Sequence, residues 1–70
     1  MMSNEKLHNN QIGLRIRTAR KEKGINQTEL ANLLGKSLRT IQKYESGEIE
    51  VSIATINAIA KVLDCPSTYL

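Results

Sequence analysis

Apolar residues recur at spacings of three and four along most of the chain, the period of α-helices packed on one face. Ile12, Ile16 and Ala19 form the first such stripe, with Arg15, Arg17, Lys21 and Lys23 mostly off it. The stripe predicts a helix from about Asn10 to Lys23, with Gly24 where helices commonly end. A second, short helix is predicted behind Asn26, a capping residue with Glu29 three positions on, a variant of the capping box. Its apolar residues are Leu30, Ala31, Leu33 and Leu34, and Gly35 stops it. Ser37 caps a third helix in which Ile41 and Tyr44 face inward and Ser46-Gly47 marks the end. Ser52 caps a fourth, where Ile53, Ile56, Ala60 and Leu63 repeat at helical spacing and Ile59 and Val62 widen the face. This segment is rich in β-branched residues, yet its period is three to four rather than two, so it reads as helix. Pro66 suits the first turn of a short fifth helix, with Tyr69 and Leu70 packing back. Residues 1–10 are polar and carry no stripe, and read as a flexible N-terminal tail. The domain spans 11–70. Five short helices with short connections make it all-α, a compact orthogonal five-helix bundle.

Seventy residues make one small domain, for which a single core rarely supplies more than about 3–5 kcal/mol. Phe and Trp are absent, so Ile, Leu, Val and Ala must build that core. Cys65 is the only cysteine and His8 the only histidine. That excludes a disulfide framework and a zinc site within one chain, which needs about four ligands. The lone thiol fits a reducing compartment, and Cys65 reads as a small, half-buried hydrophobe. No apolar stretch approaches the ~20 residues of a membrane span, and residues 1–11 lack the apolar segment of a signal peptide. A cytoplasmic protein with no membrane contact is expected. No Ser-His-Asp, Cys-His or metal-ligand set is present, so no enzyme, cofactor, metal or small-molecule ligand is expected.

Charge adds a direction. The formal net charge is +3, but residues 1–43 carry nine Lys/Arg against three Glu, or +6. Residues 44–70 carry Lys61 against Glu45, Glu48, Glu50 and Asp64, or −3. The first part should attract a polyanion and the second should not.

The most informative stretch is QTELANLLGKSLRTIQKYES, Gln27 to Ser46. Two short helices joined by a tight turn need a small residue where they cross, which Ala31 supplies, and a permissive backbone at the turn, which Gly35 supplies. Leu30, Leu34 and Ile41 brace the crossing from beneath. Leu38, Arg39, Gln42 and Lys43 are left on the outer face of the later helix. A guanidinium fork, an amide, a cation and an apolar carbon are the groups that read base edges in the major groove. Leu38 stays open between two roles. Its spacing to Ile41 and Glu45 also fits a core stripe.

The same residues resemble a known family. IGLRIRTARKEKGINQTELA, the Gly35-Lys36-Ser37 turn, IQKYESG, the apolar fourth helix and the LDCPSTYL end are similar, in that order, to the lambda-repressor-like (Cro/cI-type, XRE-like) helix-turn-helix domains. The resemblance covers about Ile12 to Leu70, with the helix-turn-helix motif at about 27–46. It implies a five-helix fold with the third helix in the major groove, and a phosphate contact from Gln27. It also implies a structural ion pair between Arg20 and Glu45. Three positions depart from the family pattern. Lys36 replaces a small apolar residue, its stem able to cover the core while its ammonium nears phosphate. In the loop after the third helix, Glu48 and Glu50 stand where basic residues are common, and no proline is present. This puts a phosphate contact there in doubt and leaves the loop for a protein contact.

The expected interface is therefore Gln27, Lys36, Ser37, Leu38, Arg39, Thr40, Gln42 and Lys43, reading double-stranded DNA. The expected function is sequence-specific transcriptional regulation, read as repression, by a homodimer on a near-palindromic site. Dimer contacts are expected near Ile49–Val51 and Thr68–Leu70. Tyr44 and Tyr69 read as core or dimer residues rather than base-stacking platforms, and His8 as a solvated residue of the tail. The alternative is a protein-interaction module, such as an adaptor or antitoxin, using the same bundle.

Overall fold

Four helices follow one another with short turns between them: α1 Asn4–Lys23, α2 Gln27–Leu34, α3 Leu38–Ser46 and α4 Ile53–Leu63. A single 3-10 turn, Ser67–Tyr69, closes the chain. The computed structural model describes residues 4–70, with side chains from Leu7 onward, and holds no strand among them. The expected fifth helix is thus a correction. Pro66 precedes that turn in extended conformation. The amides of Tyr69 and Leu70 donate to the carbonyls of Pro66 and Ser67, three residues back, at 3.0 and 3.2 Å. Three residues are too few for an α-type ladder.

The caps read from the sequence are all in place. The Asn26 side chain accepts from the Glu29 amide at 2.8 Å while Glu29 accepts from the Asn26 amide at 3.0 Å, a complete capping box. Ser37 and Ser52 each accept from the amide three residues on, at 3.1 and 3.2 Å. Gly35 and Gly47 end α2 and α3 in the left-handed conformation. At the end of α4 that role falls to Asp64, with φ 59°, one of the few non-glycine types that tolerate it.

α1 starts eight residues before its apolar stripe, so residues 4–9, expected in a flexible tail, are helical and His8 is an exposed residue of that helix. The rest of that tail, residues 1–3, lies outside the described residues. Between Asn4 and Gln11 Leu7 is the only apolar residue, so no periodicity could announce the extension. Lengthening a helix that has already nucleated costs little. Directly after the extension the helix packs closely on the end of α3: a β-carbon at Gly47 would lie 2.8 Å from the Asn10 Cα.

Ile16, Leu30, Ile41 and Ile59, one from each helix, are fully buried. Ile12, Ala19, Ala31, Tyr44, Val51, Ala60, Leu63 and Leu70 complete the core around them. Two expected core residues are not in it. Ile53, the first residue of α4, is 79% exposed, whereas Val51 of the preceding loop is buried. Tyr69 is 41% exposed, and only its neighbour Leu70 packs back.

The most extensive helix contact is between α1 and α3, and Gly13 makes it possible. A β-carbon there would sit 2.6 Å from the Glu45 carbonyl oxygen and closer still to that of Tyr44. Helix propensity alone favours alanine over glycine by about 1 kcal/mol. Two backbone carbonyls cannot rotate aside, however, and forced overpacking costs about 1–3 kcal/mol. Gly13→Ala is therefore expected to lower the urea unfolding midpoint, despite its gain in propensity. A raised midpoint would show that α1 and α3 can separate at no cost.

Candidate nucleic-acid interface

The outer face of α3 is held in position by a polar cluster beneath it. Arg20 of α1 donates from Nε to Glu45 Oε2 at 2.7 Å and from Nη2 to Glu45 Oε1 at 3.1 Å. Its Nη1 donates to the Ile25 carbonyl at 2.8 Å. Gln27, the first residue of α2, donates from Nε2 to the same Glu45 Oε1 at 3.2 Å. The side chains of the ion pair are only 9% and 4% exposed. Charges buried this deeply persist only when paired and hydrogen-bonded. Here both conditions hold, and no described buried side-chain polar atom lacks a partner. One carboxylate thus ties together three helices.

With Glu45 and Tyr44 turned inward, the opposite face of α3 is fixed. Successive residues step about 100° around a helix, so Arg39, Gln42, Lys43 and Ser46 share one side. Arg39, Gln42 and Ser46 are exposed and Lys43 is half-buried. Neither Arg39 nor Gln42 makes a hydrogen bond or ion pair with any described residue. Leu38 opens the helix at the margin of this face and is 40% exposed. Ser37 and Thr40 are tied to each other, their hydroxyl oxygens 2.9 Å apart. Lys36, in the turn, is exposed, and its ammonium stands 6.0 Å from the centroid of the Tyr44 ring. That is the outer limit of a cation–π contact.

Gln27 is half-buried with its amide spent on Glu45, so what it offers outward is its backbone N–H at the positive end of α2. It borders an open groove of about 520 Å³ between α1, the start of α2 and α3. Gln42 lies on the same groove, as do Arg17 and Ser46, two residues the sequence pattern did not single out. The signal for Ser46 was present, since it lies seven residues after Arg39 on one helix face. For Arg17 it was only a basic residue off an apolar stripe.

Burial pushes the Cys65 thiol up, and the carboxylates of Asp64 and Glu22 push it further. The reactive thiolate is correspondingly scarce. Among the described residues no group of three or more His, Cys, Asp or Glu is placed to hold a metal ion. No helix among them is long and apolar enough to cross a membrane.

Known proteins share this arrangement. The family model HTH_3, described as helix-turn-helix, matches residues 16–70. A Pyrococcus furiosus protein named as an HTH-type transcriptional regulatory protein is 41% identical over 54 residues, 77% of this chain and 17% of its own length. An uncharacterized transcriptional regulator in the ATPase CF(0) region of Rhodospirillum rubrum is 38% identical over 58 residues, 83% of this chain and 54% of its own. The chain thus spans about half or less of these relatives. Among solved structures, the restriction-modification controller protein C.AhdI from Aeromonas hydrophila superposes with a TM-score of 0.87. It is 28% identical, over 96% of this chain and 97% of that one. An HTH_3 family transcriptional regulator from Vibrio cholerae gives 0.85 at 27% identity, over 94% of this chain and 37% of its own.

The cluster beneath α3 makes a sharp stability prediction. Glu45→Ala leaves Arg20 buried without its counter-charge, which costs about 3–5 kcal/mol. That is comparable to the whole stability of about 3–5 kcal/mol expected for a domain of this size. The variant is expected to lose most of its helical circular dichroism at room temperature. Combining Arg20→Met with Glu45→Leu is expected to recover much of it, since apolar replacement of a buried pair is often neutral or better. A Glu45→Ala protein with an unchanged unfolding midpoint would contradict this account.

Proposed function

The chain belongs to the helix-turn-helix family HTH_3, and from that membership we propose that it is a sequence-specific regulator of transcription that docks α3 in the major groove of double-stranded DNA. The observation that carries the reading is the outward face of α3. Arg39 and Gln42 stand exposed there with no partner in the described chain, on a helix whose rotation is fixed by Glu45. Unspent side chains of this kind on a rigid helix match the donor and acceptor pattern of base edges. Arg39 reads guanine through O6 and N7, and Gln42 reads adenine through N6 and N7. Leu38 meets the sugar or a thymine methyl at the margin. Lys36, Lys43, the Ser37 and Thr40 hydroxyls and the Gln27 backbone N–H hold the flanking phosphates. A domain that only occupies its site excludes whatever else must bind there, which makes repression the simplest mode of action. Its place of work is the cytoplasm, with no catalytic step of its own.

One reading helix touches few base pairs, so discrimination calls for two copies. The expected dimer contacts need revising. Val51 and Leu70 belong to the chain's own core; at and beside the expected stretches, Tyr69 and the 79%-exposed Ile53 are exposed apolar side chains that a second copy would cover. Two copies on one face of the duplex place their half-sites about 34–36 Å apart. Footprinting on a duplex selected from a random pool is expected to protect two half-sites at that spacing. Protection of a single half-site at saturation would remove the dimer.

The function itself is tested by two variants that must differ in kind. Arg39→Ala is expected to cost about 1–3 kcal/mol on the selected duplex and to relax preference at one base pair per half-site. Binding to random DNA should change much less. Lys43→Ala is expected to weaken all duplexes alike and to reduce the log–log salt slope by about 1 for each phosphate no longer neutralised. Titrations of both on selected and random duplexes across a salt series decide the matter. If Arg39→Ala lowers both affinities equally, Arg39 contacts only phosphate, and base reading passes to Leu38 and Gln42.

A further inference from the structure

We propose that Arg17, on α1, holds a phosphate of the DNA backbone in the groove beside α3, so that the first helix anchors the reading helix directly. The inference rests on the DNA-binding function proposed above and adds a residue outside the helix-turn-helix motif.

The groove of about 520 Å³ is lined almost entirely by polar side chains, but most of them are already committed. Arg20 and Glu45 neutralise each other. The Asn26 side-chain oxygen accepts the Glu29 amide at 2.8 Å, and the Gln27 amide donates to Glu45. The Ser46 hydroxyl donates to the Lys43 carbonyl at 3.1 Å. Two lining side chains remain wholly unspent, and Asn26 keeps only its side-chain N–H donors. Gln42 keeps its whole amide and Arg17 keeps all five of its donors, for neither has a partner among the described residues. Once the buried pair cancels, Arg17 supplies the only net charge in the lining. A guanidinium fork beside a free amide in an open polar cleft matches an anion with several oxygens, and phosphate above all.

Geometry selects the source of that phosphate. An α-helix with its side chains is about 10–12 Å across, and the major groove is about 12 Å wide. α3 therefore fills the groove from wall to wall, and whatever flanks it meets the sugar-phosphate strand. Arg17 shares the cleft with Gln42, which lies on the reading face itself, so Arg17 stands at that flank. Arg15 offers the natural comparison. It is also exposed and basic, but lies about 160° around the helix from Arg17.

The experiment follows duplex binding by fluorescence anisotropy for the parent chain, Arg17→Ala, Arg17→Lys and Arg15→Ala. Each is titrated with the selected and a random duplex over a salt series, and inorganic phosphate is titrated separately. Arg17→Ala is expected to weaken both duplexes about eightfold near ~0.1 M salt, the factor one released counterion supplies at a slope of ~0.9. The log–log slope should fall by about 1, with base preference and unfolding midpoint unchanged. Arg17→Lys should keep the slope, and Arg15→Ala should match the parent. A parent that binds selectively, joined to an Arg17→Ala variant with the parent's slope, overturns this inference alone. Equal weakening in Arg15→Ala and Arg17→Ala also overturns it, since that would report bulk charge. Saturable inorganic phosphate binding that Arg17→Ala abolishes without changing duplex affinity assigns the groove to a free anion and overturns it too. A parent with no salt-dependent duplex binding removes both this inference and the function it rests on.

Discussion

The buried pair of Arg20 and Glu45 is the constraint on which the rest of the structure depends. Packing of apolar side chains is tolerant of small rotations, because dispersion has no direction. A two-point contact between a guanidinium and a carboxylate has direction, and both groups are buried. Turning α3 by one residue about its axis would carry Glu45 out of reach of Arg20 and leave two charges stranded. The pair therefore sets which side of α3 faces out. It demands that α1 and α3 lie almost backbone to backbone, and Gly13 allows that approach. The residue that locks the bundle thus also fixes the outward placement of Arg39 and Gln42, the side chains proposed to read bases. A well-packed apolar pair in its place could hold the fold while leaving the rotation of α3 less strictly defined.

Much of this architecture was legible in the sequence, because caps and apolar stripes are local signals. Asn26 with Glu29, then Ser37 and Ser52, marked three helix starts, and the structure has the same bonds. Ile16, Leu30, Ile41 and Ile59 stood on the stripes and are buried. What stayed hidden depends on neighbours distant in sequence. A glycine in a helix reads only as a weakness, and Gly13 acquires its meaning from the carbonyls of Tyr44 and Glu45 across the crossing. Ile53 fits the spacing of its stripe, but spacing says nothing about how far a core extends along a helix. The first turns of α1 had no apolar period to reveal them, and three residues after Pro66 cannot distinguish an α-turn from a 3-10 turn by pattern.

The candidate site divides in the same way. The face of α3 followed from a single local argument: if Ile41 and Tyr44 point in, Arg39, Gln42 and Lys43 point out. The groove did not, because it is bounded by α1, α2 and α3, whose residues lie as far apart as Arg17 and Ser46. Nor could the sequence say which polar groups were already spent. Gln27 looks like a free amide in the sequence and is bonded in the structure. Arg17 and Arg15 look alike in the sequence, and only one of them borders the groove.

The placement of charge gives this geometry a preferred approach. Nine of the ten Lys and Arg lie between the start of α1 and the end of α3, with only Lys61 beyond, and the exposed Glu48 and Glu50 follow directly on the C-terminus of α3. That terminus is the negative end of the helix macrodipole, so the loop reinforces the polarity of the helix. Near a polyanion the potential favours presenting the start of α2 and the face of α3, and disfavours presenting the loop. A basic loop at this position would add a phosphate contact at the cost of that asymmetry. An acidic loop gives up that contact and leaves exposed carboxylates beside the C-terminus of α3, where they oppose encounters that bring this end to a polyanion. Within about a Debye length, roughly 8–10 Å at physiological salt, this potential acts on how the domain is oriented toward a polyanion. For a domain with few side chains available for reading, rejecting wrong orientations early shortens the search as surely as an added contact would lengthen the stay.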